Sequence, residues 1–145
     1  MIISNFCWSR IMEIICERHM DMSVRKLQIT INNVEITAEL CHNITANLLW
    51  ESLPITSTAN IWGDEIYFEV PFSVEEENGL EVVEIGDLAY WPPGSAICLF
   101  FGPTPLSRDS EIRPASPVNL VGKMLGDPMI LKEAEPGDLI TIKAK

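Results

Sequence analysis

Apolar and polar positions alternate with a period of two through most of this chain, and that period predicts strands. Over Lys26–Ile31 the apolar positions are Leu27, Ile29 and Ile31; over Val34–Leu40 they are Val34, Ile36, Ala38 and Leu40. Asn32-Asn33 lies between the two runs, and Asn tolerates the positive φ of a tight turn, so the pair predicts a β-hairpin. Its polar positions, Gln28, Thr30, Glu35, Thr37 and Glu39, face solvent or an opposite layer in this reading. Residues 56–62 and 65–70 form a second pair of strand patterns around Gly63-Asp64. In the latter, Ile66, Phe68 and Val70 point one way and Glu65, Tyr67 and Glu69 the other, until Pro71 ends the pairing. Residues 80–85, 118–124 and 139–145 are further strand patterns.

The period changes once. Ile44, Leu48, Leu49 and Leu53 recur at helical spacing, with Asn43 or Thr45 as the cap and Pro54 at the end. This predicts one main helix whose apolar face covers the sheet. The two apolar runs 88–91 and 96–101 then flank Pro92-Pro93-Gly94-Ser95 and are followed by Gly102-Pro103-Thr104-Pro105. Apolar runs bounded by turn residues read as buried strands joined by a tight connection. Glu75, Glu76 and Glu77 predict a solvated loop, and the polar stretch 106–117 predicts a long loop. Gly-Asp occurs at 63–64, 86–87, 126–127 and 137–138, which is turn chemistry rather than a metal-binding loop. About eight short strands and one covering helix predict a mainly β fold, a closed β-barrel, with a β-sandwich as the second choice.

A length of 145 residues fits one domain. The regular pattern starts after Met22, so residues 23–145 are taken as the domain and residues 1–22 as a poorly ordered extension or the product of an upstream start. The extension is interrupted by Arg10, Glu13, Glu17 and Arg18, which makes it a poor secretory signal. Ile11, Ile14 and Ile15 are at helical spacing, so a membrane- or partner-binding helix is the alternative. A net charge of −11 argues against a nucleic-acid partner and against docking on an anionic membrane. Cys7, Cys16, Cys41 and Cys98 show no metal-ligand spacing, and His19 and His42 stand alone, so no metal is expected. The simplest setting for these cysteines is a reduced, cytoplasmic one. Phosphate-cradling glycine loops and nucleophile-elbow patterns are missing, and no cofactor is expected.

Four stretches carry a resemblance: GDEIYFEVP (63–71), GDLAYWPPGSAICLFFGPTPLS (86–107), PVNLVGKMLGD (117–127) and PGDLITIK (136–143). Together they resemble a prokaryotic family of small cyclophilin-like proteins without an established activity. The resemblance runs from about Val24 to Lys145 and implies a closed cyclophilin-like β-barrel. Cyclophilins that isomerise prolyl bonds carry an arginine on a barrel strand, in an F-H-R-V-like stretch, and a Q-F-F-like stretch nearby. The stretch here most similar to the first is Ile66-Tyr67-Phe68-Glu69-Val70, with Glu69 where a cation is expected. Ile97-Cys98-Leu99-Phe100-Phe101 resembles the second without its glutamine. The domain's arginines, Arg25, Arg108 and Arg113, are on neither stretch. A carboxylate in place of a fixed cation reverses the local field that would stabilise the twisted amide, so isomerase activity is not expected.

The expected role is therefore the binding of a peptide or small molecule. The candidate ligand residues are Tyr67, Glu69, Trp91, Phe100, Phe101 and Arg108, with Trp62 at the rim. Catalytic residues are not assigned; the alternatives are an enzyme of unknown reaction with Glu69 as acid/base, or a weak isomerase. Neighbouring strand residues point to opposite faces, so one of Phe100 and Phe101 enters the core and the other faces a pocket, a helix or a partner subunit. An outward phenylalanine would equally suit a homodimer. Arg108 and Arg113 are candidate anion ligands, although pairing with Asp109 or Glu111 explains them as well.

Overall fold

The computed structural model describes residues 23–145; the N-terminal extension and its helical spacing lie outside the described residues. The predicted hairpin is formed by β1 (Lys26–Ile31) and β2 (Val34–Leu40), with Asn32 at φ 54° in its turn. β1 also pairs with β9 (Leu139–Ala144), which pairs with β3 (Ile55–Thr58). On the other side, β2 pairs with β8 (Asn119–Leu125) and β8 with β6 (Asp87–Trp91). β6 pairs with β7 (Ala96–Phe100), β7 with β5 (Glu65–Glu69), and β5 with β4 (Asn60–Ile61). The nine strands of the described residues belong to one sheet in the order β3-β9-β1-β2-β8-β6-β7-β5-β4.

The two edge strands of this sheet are consecutive in the chain. Residues 56–62, expected as one strand, are divided at Ala59, whose N–H donates to the Asp138 carbonyl at 2.8 Å and whose carbonyl accepts from Gly137 at 2.9 Å. The chain thus leaves one edge and joins the other within a single residue, and the sheet curls into a nearly closed barrel. Near-closure leaves only short edges on which other chains could add, β3 of four residues and β4 of two. Where β2 meets β8 the backbones approach closely: a Cβ on Gly122 would stand 2.4 Å from the Glu39 carbonyl oxygen.

The interior is filled by the predicted apolar sets. Leu27, Ile29 and Ile31 of β1, Ile66 and Phe68 of β5, and Ile97 and Leu99 of β7 are fully buried. Tyr90 is buried with them; it stacks on Phe72 at 5.4 Å, and its hydroxyl accepts from Val74 N–H and donates to the Phe72 carbonyl.

Helix α1 (Ile44–Ser52) packs against β8. Its cap is Asn43, whose Oδ1 accepts from Ala46 N–H at 2.8 Å. Two details depart from expectation. Ile44 is exposed while Thr45 is fully buried, and Glu77 is not a solvated member of a charge run. Its carboxylate accepts from the N–H groups of Ile44 and Thr45 and from Thr45 Oγ1, satisfying donors that a helix start leaves open. Asn119 locks the arrangement by accepting from Glu77 N–H and donating to Thr45 Oγ1 and the Glu75 carbonyl.

A further departure concerns residues 80–85, which make no strand. They contribute isolated bridges, Leu80 to Val118 and Val83 to Ile112. This segment and the loop after β7 lie across the outer face of β5, β7 and β6. There Val83, Ala89, Cys98, Phe100, Ile112 and Val118 form a second apolar cluster, outside the barrel.

That layer corrects the reading of Phe100 and Phe101. The rings do diverge, but both are buried: Phe101 in the barrel core and Phe100 in the outer cluster. Neither is available to a pocket or a partner subunit, because the long loop roofs the face on which an outward ring was expected to lie open. The cysteines also differ from a uniformly reduced set: Cys98 is free, and Cys41 is disulfide-bonded. Among the described residues no helix is long and apolar enough to cross a membrane.

Candidate functional site

The outer face of β5 presents Glu65, Tyr67 and Glu69 in alternation, as the period of two requires. Register places Phe100 opposite Glu65, Cys98 opposite Tyr67 and Ala96 opposite Glu69. On the far side of β7, Ala89 is opposite Cys98 and Trp91 opposite Ala96. Small residues at Ala96, Cys98 and Ala89 leave a depression between the larger side chains. The Pro92–Gly94 3-10 turn follows Trp91, and its geometry fixes the indole: a Cβ on Gly94 would lie 2.6 Å from the Trp91 ring. The ring lies against that glycine and donates from Nε1 to Ser116 Oγ at 2.7 Å, which ties it to the roofing loop. Tyr67 meets Trp91 edge to face, with centroids 6.4 Å apart and planes at 71°.

This aromatic pair divides a cleft into two lobes. The apolar lobe, about 200 Å³, lies under Trp62, Pro114 and Ala115 and has Glu65 and Cys98 in its wall. The second lobe, about 380 Å³, is more polar and is lined by Ser57 and Thr58 of β3, Asn60 of β4, Glu69 and Gly94. Tyr67 and Trp91 line both. β3 and β4 reach the cleft only because the chain changes edge at Ala59.

Glu65 is the unusual group. It is only 5% exposed, and its Oε1 has no hydrogen-bond partner. Burial pushes its carboxyl up to about 7, and a hydrogen bond with the Cys98 thiol pulls it partly back. Cys98 is raised well above the ordinary thiol value by burial and by the adjacent carboxylate. It therefore stays a neutral thiol and is no nucleophile at neutral pH. Glu65 holds the cleft's switchable proton. It donates when protonated and accepts, or takes a positive partner, when ionised.

Of the six candidate residues the structure brings three together: Tyr67, Glu69 and Trp91. Trp62 joins them at the rim of the apolar lobe. Phe100 and Phe101 are sealed in the two cores. Arg108 is exposed on the outer loop, in a turn that bridges to Glu111, and lines neither lobe. Arg113 pairs with Glu111 at 2.7 Å, the local ion pair that competed with anion binding. Among the described residues no His, Cys, Asp and Glu cluster could hold a metal. Sequence reasoning passed over Glu65 and Cys98. The alternation put Glu65 on the face of Tyr67 and Glu69, which was the available signal. Its burial depends on the roofing loop, which alternation does not report.

No curated protein sequence matches the chain. The solution structure of a hypothetical protein from Archaeoglobus fulgidus is similar to it, with 46% identity over 83% of this chain and 94% of the archaeal one, at a TM-score of 0.72. A family model described as cyclophilin-like matches residues 25–143, from the residue before β1 to the last but one of β9. A match over that span, on described residues that form a nearly closed barrel of nine strands with one short helix, means that the chain belongs to the cyclophilin-like family.

Proposed function

We propose that this domain binds a small molecule or a short peptide in the two-lobed cleft and does not isomerise prolyl bonds. The observation that carries the reading is Glu65: a buried carboxyl with an unpartnered oxygen, set among aromatic rings. An unsatisfied buried acceptor costs stability, and proteins retain such groups where a ligand completes them. The polar lobe supplies Ser57, Thr58, Asn60 and Glu69 for the remainder of the ligand. Absence of isomerase activity is supported by the position of the described arginines: Arg25, Arg108 and Arg113 line neither lobe, and the charged groups lining the cleft are the carboxyls of Glu65 and Glu69. A fragment screen read by backbone amide NMR tests the binding role. Perturbations are expected at Tyr67, Ala96, Cys98 and Ala115; binders that map elsewhere on the barrel would overturn it. A standard prolyl-peptide assay should show no acceleration.

The same carboxyl favours one second reading. With its proton affinity near neutrality, Glu65, rather than Glu69, is the acid/base of an enzyme acting on a small metabolite. Glu69 is exposed at the mouth of the polar lobe, where a carboxylate is well solvated. Turnover of a bound compound that disappears in Glu65→Gln and persists in Glu69→Gln would select this reading over binding alone.

A further inference from the structure

We propose that the apolar lobe is a site for an alkylammonium group, held by Glu65 Oε1 and enclosed by the rings of Trp62, Tyr67 and Trp91. This inference rests on the cleft being a ligand site and specifies the chemistry of its occupant. The walls are predominantly apolar; Glu65 is the one ionisable carboxyl among them, beside Cys98 and Tyr67. A neutral apolar ligand would leave Oε1 buried and unpaired, at the full desolvation cost of that acceptor. An anion would face Glu65 directly and Glu69 in the next lobe. A protonated amine answers both features: it donates to Oε1, and its charge is attracted to the faces of surrounding aromatic rings. The lobe is small. At roughly 30 Å³ for each water-sized group it holds on the order of half a dozen heavy atoms, which fits a four-carbon ammonium.

The electrostatic surroundings agree from every side. Cys98 faces Glu65 from β7 as a neutral thiol, and Tyr67 stands beside it on β5. Trp62, Pro114 and Ala115 bring no charge to the lobe; the nearby Asp64 and Arg113 pair with Lys132 and Glu111 instead, and among the described residues no cation lines either lobe. Among the described residues no positive group competes for the carboxylate. Because Glu65 is pushed up to about 7 when the lobe is empty, an entering cation favours the ionised form and displaces the proton. Binding near pH 7 therefore releases about half a proton per site.

Two sources share this chemistry, a free amine and a lysine side chain of a peptide, and n-butylammonium models both. The test is titration calorimetry of the full chain with n-butylammonium, with 1-butanol and butyrate as neutral and anionic counterparts, and with a short blocked lysine peptide. n-Butylammonium is expected to bind at least tenfold more tightly than 1-butanol, as one charge-assisted contact of about 1.4 kcal/mol implies. Its heat at pH 7 should depend on the ionisation enthalpy of the buffer, reporting the released proton. Tighter binding of the lysine peptide would assign the source to a peptide; binding of the free amine alone would assign a small molecule. Glu65→Gln should lower amine affinity at least tenfold and abolish the preference for the amine over 1-butanol, and the comparison of the two probes on the unaltered protein needs no variant if that one folds poorly. If 1-butanol binds as tightly as the amine, the ammonium assignment is wrong and the ligand site stands. If no probe binds at tens of millimolar and the fragment screen also leaves the cleft untouched, both readings fall together.

Discussion

Replacing Glu65 by glutamine should make the protein more stable, and increasingly so as pH rises. Glu65 is moved from the usual glutamate value of 4.5 to about 7 by burial. In the unfolded chain it loses its proton first, so between these values the folded state holds more protons than the unfolded one. Stability then falls with rising pH through this window and levels off above it. At about 1.4 kcal/mol for each tenfold change in proton affinity, keeping the ionised carboxylate in the wall of the apolar lobe costs about 3 kcal/mol at the upper limit. Glutamine has nearly the same shape, still accepts from the Cys98 thiol, and carries no charge to desolvate. The two proteins should have similar stability near pH 4, where both side chains are neutral in both states. Above about pH 8 the variant should be more stable by up to about 3 kcal/mol, a rise in Tm of roughly 10 °C for a domain of this size. Urea unfolding of both proteins across this range measures the difference directly. A gap that stays constant with pH would refute the reasoning, since it would mean that Glu65 titrates alike in the folded and unfolded chain.

Two further substitutions probe what holds the site in place. Gly94→Ala puts a methyl 2.6 Å from the Trp91 ring and should displace the indole, costing about 1–3 kcal/mol; the Trp91 indole N–H resonance, shifted by its bond to Ser116, reports the displacement and stays put if the ring is not fixed by this contact. Glu77→Ala removes the acceptor for Ile44, Thr45 and the Thr45 hydroxyl, so α1 should lose about 1–2 kcal/mol and its first turn should exchange amide hydrogens faster; unchanged protection at Thr45 would show that Asn43 alone caps the helix.

The barrel was legible because its signal is local. Alternation in β1, β2 and β5 reports which side chains face inward, and a register slip by one residue would reverse every one of them. The Asn32 turn and the Asn43 cap are likewise set by neighbours in sequence. The misreadings share the opposite property. Ala59 looks like any residue inside an apolar-polar run, yet it moves the chain from one sheet edge to the other through bonds to Gly137 and Asp138, far away in sequence. Glu77 looks like part of a solvated acidic run, and its partners are Ile44 and Thr45. Non-local partners leave no period behind them.

The site follows the same logic one layer out. A barrel strand with a solvated outer face would show polar residues at Glu65, Tyr67 and Glu69 and nothing more. Here residues 80–85 and the loop after β7 cover part of that face, and the cover ends between Glu65 and Glu69. Glu65 lies under it, with its oxygen unpartnered and its proton held to about pH 7; Glu69, two residues on, lies outside it in the polar lobe. Tyr67 and Trp91 mark the boundary, and Ser116 ties Trp91 to the cover. One alternating strand thus supplies two carboxyls of different character to one cleft. The difference between them comes from where the loop stops, and the family resemblance alone could point only to the strand.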